Sequence, residues 1–278
     1  MPVKIVTNSS SDIPQEIVDD LGITVIPEYV IFGNQCYKDR IDISEDEFYN
    51  KLVRENVQPT TSCPTPQDFI KVYDELGQEA DGIVSIHISS KLSGTTNSAL
   101  QAKNQTRAQC PIAVIDSKSV SMALGMAVIL AAKMAKNGQS FQEIVDFTND
   151  VFGRIHVLVM FDTLKYLARG GRIGRAKSLV GSLLSIKPLL TIKDGEFSPV
   201  AQVRSSTKAK EKLLEFVAGF PVIEDLYAVY STDKNEAVEL LKRIPNFPTE
   251  QIILARLGPV VGTHTGPGLL ALGVRTRT

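Results

Sequence analysis

Short runs of apolar, often β-branched residues alternate with amphipathic segments through the first half of this chain. Residues 4–7, 82–86 and 112–115 predict buried strands, and residues 66–77, 93–107 and 120–137 predict helices that follow loops. That order implies a parallel sheet, because parallel strands need long crossovers and the crossover helices cover both faces. The interval 24–42 breaks the pattern. Gly33-Asn34 between two apolar stretches predicts a hairpin there, read as an insertion on the α/β unit.

Near Arg154 the pattern changes. Residues 155–161 predict a strand, 163–168 and 175–186 short helices, and 188–203 a hairpin turning at Lys193-Asp194-Gly195. A helix over 205–219, a strand over 226–230, a helix over 233–243 and a strand over 251–255 follow. Two further strands, 258–263 and 269–274, flank a C-terminal glycine-rich motif. The expected fold class is α/β with two domains. The first (1–154) is Rossmann-like, with a parallel sheet and the 24–42 hairpin insertion. The second (155–278) mixes hairpins and helices and is read as α+β.

The 278 residues suffice for one large domain or two ordinary ones, and 43% hydrophobic with 22% charged residues fits a globular protein. No apolar run approaches the roughly 18–20 residues needed to span a bilayer. The N-terminus reads as a strand and not as a signal peptide, so the expected location is cytoplasmic. Cys36, Cys63 and Cys110 are odd in number and far apart, which argues against a disulfide framework and against a zinc site. The net charge of −1 conceals an asymmetry. Residues 1–60 carry 11 acidic and 5 basic side chains, whereas residues 163–212 carry 11 basic and 3 acidic ones. Such a basic segment either solvates helix faces or attracts phosphate, a membrane surface or an acidic partner. Aromatic residues are sparse among these charges and no nucleic-acid motif occurs, so no nucleic-acid role is expected.

Four loops carry candidate chemistry. Gly262-Thr263-His264-Thr265-Gly266-Pro267-Gly268 holds an imidazole in a tight, backbone-close setting, the mark of either a ligand loop or a simple turn. Thr60-Thr61-Ser62-Cys63-Pro64-Thr65-Pro66 offers more hydroxyls than one helix cap needs. Ser89-Ser90-Lys91-Leu92-Ser93-Gly94-Thr95-Thr96 joins a strand to a helix, where free amides and the helix dipole favour an anion. It lacks the glycine spacing of a P-loop or dinucleotide fingerprint, so a carboxylate is as plausible as a phosphate. The stretch around Arg169-Gly170-Gly171-Arg172 is either a phosphate- or partner-facing loop or an ordinary basic helix end with a glycine stop. No Gly-x-Ser-x-Gly elbow occurs and no acid is assigned to orient His264. His87, at the end of an apolar strand, reads as a core position, and His156 has no companion at metal-ligand spacing.

Together these loops resemble the DegV family of bacterial proteins. The resemblance rests on Ile5-Val6-Thr7-Asn8-Ser9-Ser10-Ser11-Asp12-Ile13-Pro14, Thr61-Ser62-Cys63-Pro64, the Ser89 to Thr95 loop and Asp116-Ser117-Lys118-Ser119-Val120-Ser121. It continues through Gly170-Gly171-Arg172-Ile173, Ser185-Ile186-Lys187-Pro188 and the C-terminal histidine loop. It implies a two-domain protein that encloses a long-chain fatty acid, such as palmitate, between its lobes. It also implies a non-catalytic role with no cofactor, as the lipid-binding subunit of a bacterial fatty acid kinase serving phospholipid metabolism. In the family the carboxylate is held by residues matching Thr61, Ser93 and His264, with Ser62, Gly94 and Thr95 in the same turns. Arg204 is similar to an arginine implicated in phosphoryl transfer or partner docking, and Arg172 is grouped with it. The implied partners are the fatty acid, a separate ATP-dependent kinase subunit and, transiently, a membrane surface. Two alternatives stand beside this reading: a stand-alone phosphotransferase or hydrolase using His264 and Ser93, and a lipid carrier or sensor without a kinase. The sequence departs from the family pattern at Cys63, Asn8, Thr96 and the terminal Arg275-Thr276-Arg277-Thr278.

Overall fold

The computed structural model describes residues 2–55, 58–179, 186–245 and 247–277. In chain order the first part runs β1 (Val3–Asn8), α1 (Gln15–Leu21), β2 (Thr24–Ile26), β3 (Tyr29–Phe32), β4 (Gln35–Lys38), α2 (Glu45–Arg54), β5 (Thr60–Ser62), α3 (Pro66–Leu76), β6 (Gly82–His87), α4 (Thr95–Lys103), β7 (Ile112–Asp116), α5 (Met122–Lys136) and α6 (Phe141–Val151). A parallel sheet in the order β2-β1-β6-β7 forms its centre. Every residue of β6 is buried, as expected of a strand covered on both faces. On one face Val6 and Ile83 meet Phe69, Tyr73 and Ala99 of α3 and α4. On the other, Ile5, Val84 and Ile86 meet Met122, Met126 and Ile129 of α5. Each such fully buried apolar side chain contributes about 1.5–3 kcal/mol.

The hairpin expected at Gly33-Asn34 is β3–β4, and β5 adds to it as a third strand through the pairs Tyr29–Ser62 and Val30–Thr61. Thr24–Ile26 belongs elsewhere, since β2 pairs in parallel with β1 at the edge of the main sheet. Helix starts follow side-chain caps. Ser44 with Glu47, Thr65 with Asp68 and Ser140 with Glu143 each form a reciprocal capping box.

The second part runs β8 (Ile155–Met160), α7 (Lys165–Arg169), β9 (Lys187–Lys193), β10 (Glu196–Val203), α8 (Ser206–Ala218), β11 (Ile223–Tyr230), α9 (Lys234–Leu241), β12 (Ile253–Arg256), α10 (Pro259–Thr265) and β13 (Leu270–Thr276). Its sheet has the order β10-β9-β8-β13-β11-β12, antiparallel except for the β11–β12 pair. Leu213 of α8 and Leu240 of α9 pack with Leu158, Leu189 and Leu272 on one face. Val157, Val159, Tyr227 and Ala271 share a cluster with α5, so α5 lies between the two sheets.

Three further expectations need correction. Residues 258–263 form a helix, α10, and not a strand. The adjacent Val260 and Val261 mimic a strand, but Gly258 at the cap and Pro259 in the first turn pre-set helical entry. The helix expected over 93–107 is confined to Thr95–Lys103. Of the helix expected over 175–186, Gly174–Leu179 is a 3-10 turn; 180–185, including Ser185 of the family motif, fall outside the described residues.

Candidate functional site

Three loops remote in sequence meet at the carboxyl edge of the parallel sheet. Thr65 caps α3, which leaves Thr61 and Ser62 free for another use. Thr61 sits on β5, held by its pairing with Val30, and its Oγ1 lies 2.7 Å from His264 Nε2. His264 occupies the last turn of α10. Close packing of that helix on α2 depends on Gly262, where a Cβ would lie 2.7 Å from a ring carbon of Phe48. At its other end α10 is tied to the loop after β1: the Gly258 amide donates to Asp12 Oδ1 at 2.9 Å. Arg40 donates to the Arg256 carbonyl at 2.7 Å and to Asp12 at 3.3 Å, completing this junction.

The imidazole is held neutral. Burial, followed by the charge of Arg172, pushes its pKa down to about 4. Its Nδ1 is buried without a hydrogen-bond partner among the described residues. In the tautomer with the proton on Nε2, His264 donates to Thr61 and the Thr61 hydroxyl is free to donate onward. Ser93 lies in the turn between β6 and α4, the strand-end position where open α/β sheets take ligands. Arg172 reaches across from the second part, donating through Nε to the Leu92 carbonyl at 3.1 Å and through Nη1 to the Gly170 carbonyl at 2.6 Å.

These groups border a cavity of about 230 Å3 whose lining includes Thr61, Ser62, Ser93, Gly94, Arg172 and His264. Val120, Phe197, Val261 and Thr265 line both this cavity and an adjoining crevice of about 30 Å3. The crevice continues past Met122, Val159, Tyr227 and Ala271, between α5 and the second sheet. A polar mouth thus opens onto an apolar slot, the form suited to an amphipathic ligand.

Not every residue singled out by its sequence motif faces the cavity directly. Thr95 is fully buried behind the wall, with Oγ1 at 2.8 Å from Ser93 Oγ and 3.1 Å from Glu28 Oε1. Arg204 is exposed between β10 and α8 and is not part of the lining. Of the family departures, Cys63 lines the cavity, whereas Thr96 turns inward to the Ile88 carbonyl at 2.9 Å. Asn8 is buried, accepting from the Ile88 amide at 3.2 Å and donating to Glu28 at 2.9 Å. Arg275 is engaged in ion pairs with Glu224 and Asp225 and does not border the cavity. Part of the basic excess is likewise compensated, as in Arg175 with Asp194 and Glu196.

A hydrolytic triad is not assembled by these contacts. His264 Nε2 meets Thr61, and no described carboxylate orients Nδ1. His87 serves the core: its Nε2 lies 2.6 Å from Ser85 Oγ and its Nδ1 3.1 Å from Asn8 Oδ1, and burial pushes its pKa down to about 3. Among the described residues no group of three or more His, Cys, Asp or Glu is placed to hold a metal, and no helix is long and apolar enough to cross a membrane.

One acidic lining residue escaped sequence reasoning. Glu28 is 2% exposed and accepts hydrogen bonds from Asn8, the Ser10 amide and Thr95. Nothing in Pro27-Glu28-Tyr29 marks it, because its partners come from β1 and α4.

Comparison with known proteins agrees with this architecture. A DegV domain-containing protein of Caldanaerobacter subterraneus subsp. tengcongensis is 36% identical over 269 residues, covering 95% of each chain. A Thermus thermophilus structure, described as showing fatty acid binding of a DegV family protein, matches with a TM-score of 0.92 and 35% identity, over 99% of this chain and 100% of the other. A stearic acid-binding protein from Eubacterium ventriosum matches with a TM-score of 0.90 and 27% identity, over 99% of this chain and 98% of the other. The family model described as uncharacterised protein, DegV family, matches residues 2–277, and this chain therefore belongs to the DegV family.

Proposed function

We propose that this chain binds a long-chain fatty acid such as palmitate and presents its carboxylate for phosphorylation by a separate ATP-dependent kinase subunit. The observation that carries this reading is the junction of Thr61, Ser93 and His264 at the polar end of a cavity that narrows into an apolar crevice. A buried carboxylate is costly unless hydrogen-bonded, and the Ser93 hydroxyl, the Thr61 hydroxyl oriented by the neutral imidazole, and the Arg172 guanidinium supply that compensation. Ser62, Gly94 and Thr95 shape and back the two turns. Each acyl methylene buried in the crevice adds about 0.8 kcal/mol, so the chain supplies affinity while the polar residues fix orientation. The relatives described as fatty acid-binding support the ligand class. Arg204, exposed beside α8, and Arg172 at the mouth are the residues assigned to the partner or to phosphoryl transfer, in a cytoplasmic protein that meets the membrane surface transiently.

Organic extraction of the purified protein followed by mass spectrometry is expected to yield about one long-chain fatty acid per chain. Ser93→Ala and Thr61→Val are each expected to weaken palmitate binding about tenfold, the value of one charge-assisted hydrogen bond. Unchanged affinity in both variants overturns this placement of the carboxylate. Acyl phosphate formed from ATP and palmitate by this chain alone overturns the non-catalytic reading.

A further inference from the structure

A carboxyl in the wall of an anion-binding cavity poses a conflict, since like charges disfavour each other and neither is well hydrated. Glu28 is such a group. Its Oε2 is occupied by two N–H donors, Asn8 Nδ2 at 2.9 Å and the Ser10 amide at 3.1 Å. A proton on this carboxyl therefore sits on Oε1, which faces Thr95 Oγ1 at 3.1 Å. Thr95 Oγ1 in turn lies 2.8 Å from Ser93 Oγ, and Ser93 Oγ already accepts from the Thr95 amide at 3.3 Å.

Each hydroxyl in this chain has a single proton to give. With Glu28 ionised, Thr95 gives its proton to Oε1 and Ser93 gives its proton to Thr95. Ser93 then turns only lone pairs towards the cavity, and a bound carboxylate meets an acceptor. With Oε1 protonated the direction reverses: Glu28 donates to Thr95, Thr95 to Ser93, and the Ser93 proton points at the ligand.

We propose that Glu28 is a positioning residue that carries a proton whenever a carboxylate occupies the cavity, and that through Thr95 it makes Ser93 a donor. The proposal rests on the fatty-acid reading above. Where the free carboxyl is ionised, one proton is taken up from solvent for each carboxylate bound, and no other bond changes. Burial raises the pKa of Glu28 and its hydrogen bonds only partly oppose that, which favours the neutral form. The charged and titratable groups around it are Asp39, whose amide donates to the Glu28 carbonyl, with Arg40 and Asp12 beyond it. His87 lies behind Asn8, and Arg172, His264 and Cys63 share the cavity.

The test is infrared spectroscopy of the full-length protein with palmitate carrying a 13C carboxyl. The expected spectrum contains the carbonyl stretch of a protonated carboxylic acid that ignores the ligand label, shifts when the protein contains side-chain 13C-glutamate, and disappears in Glu28→Gln. That variant is expected to bind palmitate within about threefold of the wild type, because its amide donates to Thr95 from the position of the proton. A band that moves with the ligand label places the proton on the fatty acid and overturns the proposal, as does a spectrum without any glutamic acid band. The glutamate label decides the matter even if the variant fails to fold. A wild type that takes up no palmitate defeats the underlying fatty-acid reading, a result recognisable before any spectrum is recorded.

Discussion

Thr61 Oγ1 and His264 Nε2 stand 2.7 Å apart across 203 residues of sequence, one on a three-residue strand of an inserted sheet and the other in the last turn of a helix from the opposite part of the chain. The contact makes the imidazole a structural link as well as a candidate ligand group. A neutral histidine packed between a hydroxyl and the Gly170 backbone orients that hydroxyl without adding charge.

Gly170 guards this arrangement. Its backbone is ordinary αR, so alanine carries no dihedral strain there, but a Cβ would fall 2.2 Å from His264 Nδ1. Gly170→Ala is expected to displace the imidazole and lower palmitate affinity at least tenfold, at a folding cost of about 1–3 kcal/mol typical of overpacking. Titration with a fluorescent fatty acid, alongside thermal melting, separates the two effects. Wild-type affinity would show that the histidine position is dispensable.

Asp39 costs the protein stability as the pH rises from acid to neutral. Its carboxyl is fully buried, and burial pushes its pKa up to about 7 despite the opposing effects of Arg40 and the Ser9 hydroxyl. A carboxyl with a raised folded-state pKa favours folding at low pH, and that advantage disappears as the pH climbs from about 4 to about 7. Asp39→Asn is therefore expected to gain stability relative to wild type, by on the order of 2 kcal/mol more at pH 8 than at pH 5. Urea unfolding at the two pH values measures this; an equal effect at both means the group titrates normally.

Ala271, 3% exposed on β13, borders the apolar crevice. Ala271→Leu is expected to shorten the acyl chain the protein prefers, with affinity for long chains falling about fourfold per excluded methylene. Competition between fatty acids of increasing length reads the change directly. An unaltered length profile would mean that the chain runs elsewhere.

What the sequence disclosed depended on whether the information was local. The strands at 4–7, 82–86 and 112–115 were legible because strands of a covered parallel sheet read as short, mostly apolar, β-branched runs. Thr61 and His264 stood out in loops rich in hydroxyls, proline or glycine and Ser93 at a strand-to-helix turn, but their grouping as one carboxylate site came from the resemblance to the DegV family. The strand misread at 258–263 shows the limit: two adjacent valines carry a strand signal, and only the capping Gly258-Pro259 pair and the packing of Gly262 on Phe48 decide for a helix. Glu28 was illegible for a different reason. Its surroundings are assembled from Asn8, Ser10 and Thr95, and no property of its own neighbours in sequence announces them.

The place of β13 in the second sheet has a consequence in time. Leu270–Thr276 lies in the interior of that sheet, between β8 and β11, and α10 immediately precedes it. On a ribosome, Thr61 and Ser93 emerge well over 150 residues before the segment that completes their surroundings. Seating of the imidazole beside its threonine is thus tied to the insertion of one strand, β13, between β8 and β11.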